Sequence, residues 1–163
     1  MPKVGVVMGS KSDLPIVQEA LDCLKKIGID YEVRVMSAHR TPEEAASFAK
    51  NARKNGIEVI IAAAGKAAHL PGVLAAYTTL PVIGLPIKSS FMDGLDSLLS
   101  MVQMPNGVPV ATVAVGGAEN AAILAAQILG IKYAEVEAQL QAMKETMASN
   151  VRVADDAVQK ETK

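Results

Sequence analysis

His39 and Arg40 are neighbours in the segment Ser-Ala-His-Arg-Thr-Pro, residues 37–42, whose residue types suit acid–base chemistry on an anion. Histidine gains and loses a proton near neutral pH more readily than other side chains, and arginine is a permanent cation. We therefore interpret His39 as a general acid–base group and Arg40 as part of an anion-binding site.

The flanking residues predict where this pair lies. An apolar, strand-like run ends at Met36, and Thr41, Pro42 and Glu44 have the pattern of the N-cap, first and third residues of a helix with a capping box. The pair would then lie on a tight strand-to-helix connection. In parallel α/β sheets, such connections gather at the carboxyl edge of the strands, where ligands bind.

A second polar turn, residues 9–13, follows the first predicted strand. The hydroxyls of Ser10 and Ser12 and the backbone N–H groups could wrap a phosphate, and the Asp13 carboxylate could accept ribose hydroxyls. The turn has neither the GxGxxG nor the GxxxxGK[ST] spacing. Helix capping by Ser12 or Asp13 explains these residues equally well.

A third turn, residues 64–72, contains small residues such as Gly65 and Ala67, which permit a ligand to approach the backbone closely. We interpret His69 in this turn as a helix-start residue that hydrogen-bonds its own loop, in preference to a catalytic role. If the three turns meet at one sheet edge, His39 faces Ser10 and Asp13. The convergence, rather than any single residue, then points to a phosphorylated small molecule as the substrate.

Strand and helix patterns alternate along the chain, which predicts an α/β three-layer sandwich with a central parallel sheet. The predicted strands are 3–8, 31–36, 57–62, 81–84 and 108–113. The predicted helices are 14–27, 41–55, a short one ending near 77, 95–102 and 120–129. We expect a single domain, 1–163, with a sandwich core over 1–130 and a C-terminal helical arm over 131–163.

The arm keeps a helical spacing of apolar residues beyond the sheet domain. Its apolar positions are Tyr133, Val136, Leu140, Met143, Met147, Val151, Ala154 and Val158. This stripe needs a surface to cover it. Two alternatives are open: it packs back over its own sheet, or part of it packs on a neighbouring subunit. We lean towards a homo-oligomer.

Composition excludes several classes of function. Lys and Arg total 16 and Asp and Glu total 17, so no global basic field attracts nucleic acid or an anionic membrane. A single cysteine, Cys23, allows no internal disulfide, and no residue spacing indicates a metal site. No targeting or membrane-spanning pattern is present, so we expect a cytoplasmic protein.

Several blocks of sequence resemble, in order, the signature blocks of the 5-(carboxyamino)imidazole ribonucleotide mutase family, the bacterial-type phosphoribosylaminoimidazole carboxylase catalytic subunit of purine synthesis. The blocks are Met8–Asp13, Ser37–Pro42, Ala67–Gly72, Gly94–Ser100, Val102–Pro105, Gly107–Thr112 and Asn120–Leu129. The resemblance implies a flavodoxin-like fold, a homo-octamer with exchanged C-terminal helices, and a reaction that needs no metal, ATP or biotin. That reaction moves a carboxylate from the exocyclic nitrogen to ring carbon four by decarboxylation and recarboxylation.

The resemblance also implies roles for individual residues. It assigns the acid–base role to His39, the phosphate to Ser10 assisted by Ser37 and Arg40, and the ribose to Asp13, with Ser12 ordering the loop. We expect the released carbon dioxide to be held in a dry pocket. Its walls would be Gly65, Ala67, Ala68 and Leu70, and we include His69 among the substrate-binding residues.

Two residues depart from the family pattern, because Ala63 and Lys66 occupy positions where the family usually has glycine. If the second position requires a positive φ, Lys66 would be strained by about 1 kcal/mol or would reshape the loop. Its ammonium could also reach the migrating carboxylate. We expect activity to survive this departure.

Two alternative functions stay open at this point. One is the related carboxylase, which uses free carbon dioxide and the unsubstituted aminoimidazole ribonucleotide. The other is a non-enzymatic binding module of flavodoxin or phosphoacceptor type. The third predicted strand ends without an aspartate to accept phosphate, and aromatic residues are only 3% of the chain, which is few for a flavin site.

Overall fold

The computed structural model describes residues 1–162 and contains a five-stranded, all-parallel sheet in the order β2-β1-β3-β4-β5. The strands are β1 (Lys3–Met8), β2 (Asp30–Val35), β3 (Val59–Gly65), β4 (Val82–Ile87) and β5 (Ala111–Thr112). This is the flavodoxin-like order of a doubly wound sheet, and the predicted α/β sandwich is confirmed. The switch in strand order places the connections after β1 and β3 side by side.

Six α-helices flank this sheet within the described residues: α1 (Leu14–Ile27), α2 (Pro42–Asn51), α3 (Leu70–Tyr77), α4 (Leu95–Val102), α5 (Ala118–Gly130) and α6 (Ala134–Glu161). Helices α1 and α5 pack on one face of the sheet, and α2, α3 and α4 cover the other. Because β1, β3 and β4 are buried between two helical layers, they are apolar and do not alternate, apart from Lys3 at the start of β1.

The ends of several predicted elements differ from the observed ones. β3 and β4 continue three residues beyond the predicted ends, since register with buried neighbours outweighs the weak strand preference of Ala63, Ala64 and Pro86. β5 is shorter than predicted, because Pro109 has no backbone N–H to give to a sheet ladder. Helix α2 ends at Asn51 and is followed by turns.

Helix α6 is divided in how it packs. Val136 is buried, and Leu140 and Met143 pack against the core next to α1 and α5. Further along, Met147 and Val151 are each more than half exposed, as is Val158. The first part of the apolar stripe therefore packs back on its own domain, and the rest has no cover from residues 1–162. Lys163, the last residue of the predicted arm, lies outside the described residues.

None of the helices within residues 1–162 combines the length and apolar character needed to cross a membrane.

Candidate active site

A cavity of about 390 Å³ lies at the carboxyl edge of the sheet, where the connections after β1, β2, β3 and β4 meet. With the exception of Ala68, the site residues predicted from the sequence line it: Ser10, Ser12, Asp13, Ser37, His39, Arg40, Gly65, Ala67, His69 and Leu70. Register explains the convergence, because Met8 of β1 is level with both Val35 of β2 and Ala63 of β3. The loops that follow β1 and β2 therefore begin at the same height, and the loop after β3 begins two residues further along that strand.

The connection after β2 is closed by its own hydroxyl groups. The Thr41 hydroxyl accepts a hydrogen bond from the Ser37 backbone N–H at 2.9 Å and donates to the Ser37 carbonyl at 3.2 Å. It makes no bond to the first turn of α2, so the capping box predicted from Thr41 and Glu44 is wrong. Thr41 instead ties the two ends of the loop that carries His39.

Ser37 and Arg40 form a rigid corner of the cavity. The Ser37 hydroxyl oxygen accepts hydrogen bonds from the backbone N–H groups of His39 and Arg40, at 3.3 and 3.1 Å, and from Nε of Arg40 at 3.3 Å. The guanidinium also donates to the Gly9 carbonyl oxygen at 3.1 Å, which joins the β1 and β2 loops. With its acceptor sites occupied, the Ser37 hydroxyl keeps a hydrogen to donate, and Arg40 keeps further N–H groups for an anion.

The β1 loop offers a second hydroxyl in the same way. Ser10 accepts hydrogen bonds from the Ser12 backbone N–H at 3.3 Å and from the Ser12 hydroxyl at 2.9 Å. The capping oxygen of this turn therefore belongs to Ser10, and the alternative in which Ser12 or Asp13 caps the helix is wrong, since Asp13 makes no capping bond to α1. Ser12 orders Ser10, and the Asp13 carboxylate does not cap α1.

Asp13 is a buried carboxyl group at the wall of the cavity, with a relative exposure of 8%. Burial raises its pKa, and a hydrogen bond from the Ser10 backbone offsets part of that effect. A buried carboxylate is costly unless it finds a hydrogen-bond donor. Ligand hydroxyl groups in the cavity would supply such donors.

The two histidines of the chain meet across the cavity. Nε2 of His39 lies 2.8 Å from Nδ1 of His69, and the rings are edge-to-face with centroids 4.9 Å apart. The interpretation of His69 as a residue that bonds its own loop is therefore wrong for its ring, although its backbone N–H does donate to the Ala67 carbonyl. His69 occupies the N-cap position of α3 without a side-chain capping bond, because the ring is directed to His39.

This contact restricts the protonation of both rings. A single proton can occupy the line between the two nitrogens, so one imidazole donates while the other accepts. If His39 carries a proton on Nε2, His69 must present an unprotonated Nδ1. The contact thus orients His39 and leaves its Nδ1 available for proton transfer to a ligand.

Lys66 has a φ of +56°. The sequence analysis predicted strain at Lys66 if this position has a positive φ, and it does. A side chain in this left-handed conformation costs on the order of 1 kcal/mol relative to its usual backbone. The loop keeps the positive φ, and Lys66 lines the cavity. Ala63, at the other departure from the family pattern, is fully buried in β3 and does not line the cavity.

The predicted apolar wall is only partly present. Gly65, Ala67 and Leu70 line the cavity, but Ala68 is buried and is not part of the lining, so its assignment to the wall is wrong. Both histidine rings are exposed within this chain. The chain by itself therefore forms an open cleft rather than a dry pocket.

Lys88 and Ser89, on the connection after β4, also line the cavity and were missed by the sequence analysis. The predicted end of β4 at residue 84 placed these residues too far from the strand end. Applying the carboxyl-edge rule to the run through Ile87 would have found them.

Within residues 1–162, no group of three or more His, Cys, Asp or Glu side chains is arranged to hold a metal ion.

Comparison of the sequence with known proteins points to one family. The sequence profile of the AIR carboxylase family matches residues 3–150. A protein of Saccharolobus solfataricus named N5-carboxyaminoimidazole ribonucleotide mutase is 62% identical over 151 residues, which is 93% of this chain and 96% of that protein. A protein of Thermotoga maritima with the same name is 59% identical over 93% of this chain and 88% of its own length.

Solved structures agree with the sequence comparison. The crystal structure of Treponema denticola PurE superposes with a TM-score of 0.87 at 30% identity, covering 96% of this chain and 98% of that one. By sequence and by fold, this chain belongs to the AIR carboxylase family.

Proposed function

We propose that this chain is an N5-carboxyaminoimidazole ribonucleotide mutase, an isomerase of purine biosynthesis. The meeting of an imidazole pair with an Arg and Ser anion corner in one cavity supports this, because the substrate carries a phosphate and a ring whose chemistry is proton transfer. The names of the two relatives do not favour the free-carbon-dioxide carboxylase or a non-enzymatic module. A purine-synthesis enzyme of this kind is expected to work in the cytoplasm.

Substrate binding follows from the free donors and acceptors of the cavity. The Ser10 and Ser37 hydroxyls and Arg40 hold the phosphate, since each has a hydrogen left to donate. Asp13 accepts from the ribose hydroxyls. This arrangement directs the imidazole ring of the substrate towards His39 and the loop of Gly65, Ala67, His69 and Leu70.

The reaction needs two proton transfers, and one imidazole can perform both. In the first half, the bond between the exocyclic nitrogen and the carboxyl carbon breaks, carbon dioxide leaves, and protonated His39 gives its proton to that nitrogen. In the second half, ring carbon four bonds to carbon dioxide, and His39 takes the proton from that carbon. The proton is returned, so no net acid or base is consumed.

His69 is a positioning residue in this scheme. Its Nδ1 accepts a hydrogen bond from Nε2–H of His39, which keeps that hydrogen whether its own Nδ1 is protonated or not, so the orientation of the His39 ring survives both halves. Carbon dioxide must stay beside the ring between the halves, which requires exclusion of water from the cleft.

The open cleft and the uncovered end of α6 support a homo-oligomer, which we propose to be the octamer implied by the family resemblance. Exposed apolar side chains occur both on α6 and at Phe91 and Met92, next to the cavity loop after β4. Association that covers these surfaces would also reduce solvent access to the cleft. Sedimentation equilibrium of the purified protein tests the assembly size.

The function is tested by an ultraviolet assay of carbamate isomerisation without added bicarbonate, metal or ATP. We expect the carbamate to convert to the carbon-four carboxylate. Conversion of the unsubstituted ribonucleotide only, and only with bicarbonate, would assign the chain to the carboxylase instead. A purified protein that binds flavin and converts neither ribonucleotide would support the binding module.

A further inference from the structure

We propose that Lys66 binds the migrating carboxylate and makes this cavity selective for carboxylated over uncarboxylated ribonucleotides. The inference deepens the proposed function and rests on it, because the mutase substrate has two anionic groups, a phosphate and a carboxylate. The corner formed by the serines and Arg40 binds the phosphate. The carboxylate has no assigned partner.

The charges along the cavity single out Lys66. The lining contains three cations, Arg40, Lys66 and Lys88, and one carboxylate, Asp13. Arg40 is held against the Ser37 hydroxyl and the Gly9 carbonyl, at the end of the cavity formed by the β1 and β2 loops. Lys88 forms an ion pair with Asp93 at 3.1 Å. Within residues 1–162, Lys66 has no carboxylate within 4.0 Å of its ammonium, so its charge is uncompensated.

The position of Lys66 puts that charge on the reacting side of the cavity. It lies three residues before His69, on the loop whose imidazole contacts His39 at 2.8 Å. The loop follows β3, which pairs with β1 on one side and β4 on the other, so it forms the middle of the cavity floor. A carboxylate on the ring carbon or nitrogen next to His39 would lie in the same cavity that the Lys66 side chain lines.

The backbone adds an independent observation. Lys66 has φ +56°, a conformation that favours glycine, yet the chain has a lysine there. Strained residues persist where the surrounding structure and a function hold them. The retained strain agrees with a role for the lysine side chain in the cavity.

The chemistry predicts an uncommon kinetic signature. Both the substrate and the product carry a carboxylate, whereas the intermediate is neutral carbon dioxide, which an ammonium attracts much less. Lys66 therefore stabilises the ground states more than the step between them. Its loss should raise KM while leaving kcat unchanged or higher.

The experiment compares two ligands by isothermal titration calorimetry. For Lys66→Met, which removes the charge but keeps a long side chain, we expect about tenfold weaker binding of the carbon-four carboxylated ribonucleotide. Binding of the unsubstituted aminoimidazole ribonucleotide should change less than twofold. Lys66→Arg should keep most of the affinity for the carboxylated ligand, and Lys66→Gly should behave as Lys66→Met does.

A matched control is Lys25→Met, which removes the same charge from an exposed site at the end of α1, away from the cavity. It should change neither affinity. An equal loss of affinity for both ligands in Lys66→Met, or no loss of affinity for either ligand, would overturn the proposal. Failure of the wild-type protein to bind either ribonucleotide would instead contradict the proposed function itself. Circular dichroism melting curves of all variants establish that each is folded.

Discussion

At both ends of β3, polar side chains contact residues that are distant in the sequence. The two ends differ in whether these side chains can still bind a ligand. At the carboxyl end, His69 contacts His39 at 2.8 Å in an open cleft, and Lys66 has no acidic partner among residues 1–162. At the amino end, Glu58 accepts hydrogen bonds from Lys132, at 2.9 Å, and from Tyr133. The amino-end groups satisfy one another, whereas the carboxyl-end groups keep capacity for a ligand.

The difference also shows in the carboxyl groups nearest to each end. At Glu58, burial alone would raise the pKa, but hydrogen bonds from Tyr133 and Lys132 and the charge of Lys132 outweigh burial and lower the pKa. At Asp13, burial dominates and raises the pKa. The Glu58 carboxylate therefore stabilises the fold, whereas burial of the Asp13 carboxylate lowers the stability of the fold. Changes at the carboxyl end should then affect activity, and changes at the amino end should affect stability.

The largest expected effect is that of His39→Asn, which removes the only proposed acid–base group. Turnover should fall by on the order of 10³-fold, within the usual range for such catalysis, since neither proton transfer has a substitute. The affinity for aminoimidazole ribonucleotide and the melting temperature should stay close to wild type. Steady-state ultraviolet kinetics with calorimetric titration checks both, and turnover within tenfold of wild type would place the chemistry on another residue.

A smaller effect is expected for His69→Ala, which removes the contact to His39 but leaves the acid–base group. We expect kcat to fall about tenfold to a hundredfold with little change in KM, because ring orientation and not substrate binding is lost. His69→Gln, whose amide can still exchange a hydrogen bond with His39, should recover part of the rate. Equal loss in the two variants would show that His69 does not act by positioning His39.

Asp13→Asn should separate binding from stability. Loss of a charged acceptor for ribose hydroxyls should weaken ribonucleotide binding by about tenfold. The raised pKa means that Asp13 contributes to stability at pH values below its unfolded pKa and loses this contribution as pH rises through its folded pKa. At pH 7 the variant should therefore be at least as stable as wild type in urea denaturation. A clear loss of stability at pH 7 would contradict this cost.

The smallest effect on activity, and the opposite effect on stability, is expected for Tyr133→Phe at the amino end of β3. Loss of its hydrogen bond to Glu58 should lower the free energy of unfolding by about 1–2 kcal/mol at pH 7, with kcat unchanged. The lowered pKa means that the stabilisation by Glu58 is present above about 4.5 and is lost as pH falls through its folded pKa. The difference between the two proteins in urea denaturation should shrink over that range. If the difference in free energy of unfolding between the two proteins stayed constant down to pH 2, Glu58 would not be the source of the stabilisation.

Much of the fold could be predicted from the sequence, because the period of apolar residues depends on local geometry. The run Lys3–Met8 and the helix after it, for example, are readable without any knowledge of the rest of the chain. Element ends were less accurate where neighbours decide them. Ala63 and Ala64 have little preference for a strand, yet they continue β3 because β1 and β4 both pair with Ala63 and β4 also pairs with Ala64.

The cavity residues could be predicted because strand ends in a parallel sheet share one edge, so Ser10, Ser37 and His39 were placed together before any contact was known. The contact between His39 and His69 could not be predicted from the sequence. The two residues follow β2 and β3, which are separated by β1, so their distance depends on strand order and on loop closure by Ser37 and Thr41.

The sequence by itself therefore determined the alternating elements, the shared edge and the residue types available for chemistry, since these follow from short-range periodicity and composition. Only the tertiary structure decided which partner each polar group finds. Pairing in space turned His69 towards His39, left Lys66 without an acid within residues 1–162 and gave Glu58 two donors. Such partners lie tens of residues apart, where local patterns carry no information about distance.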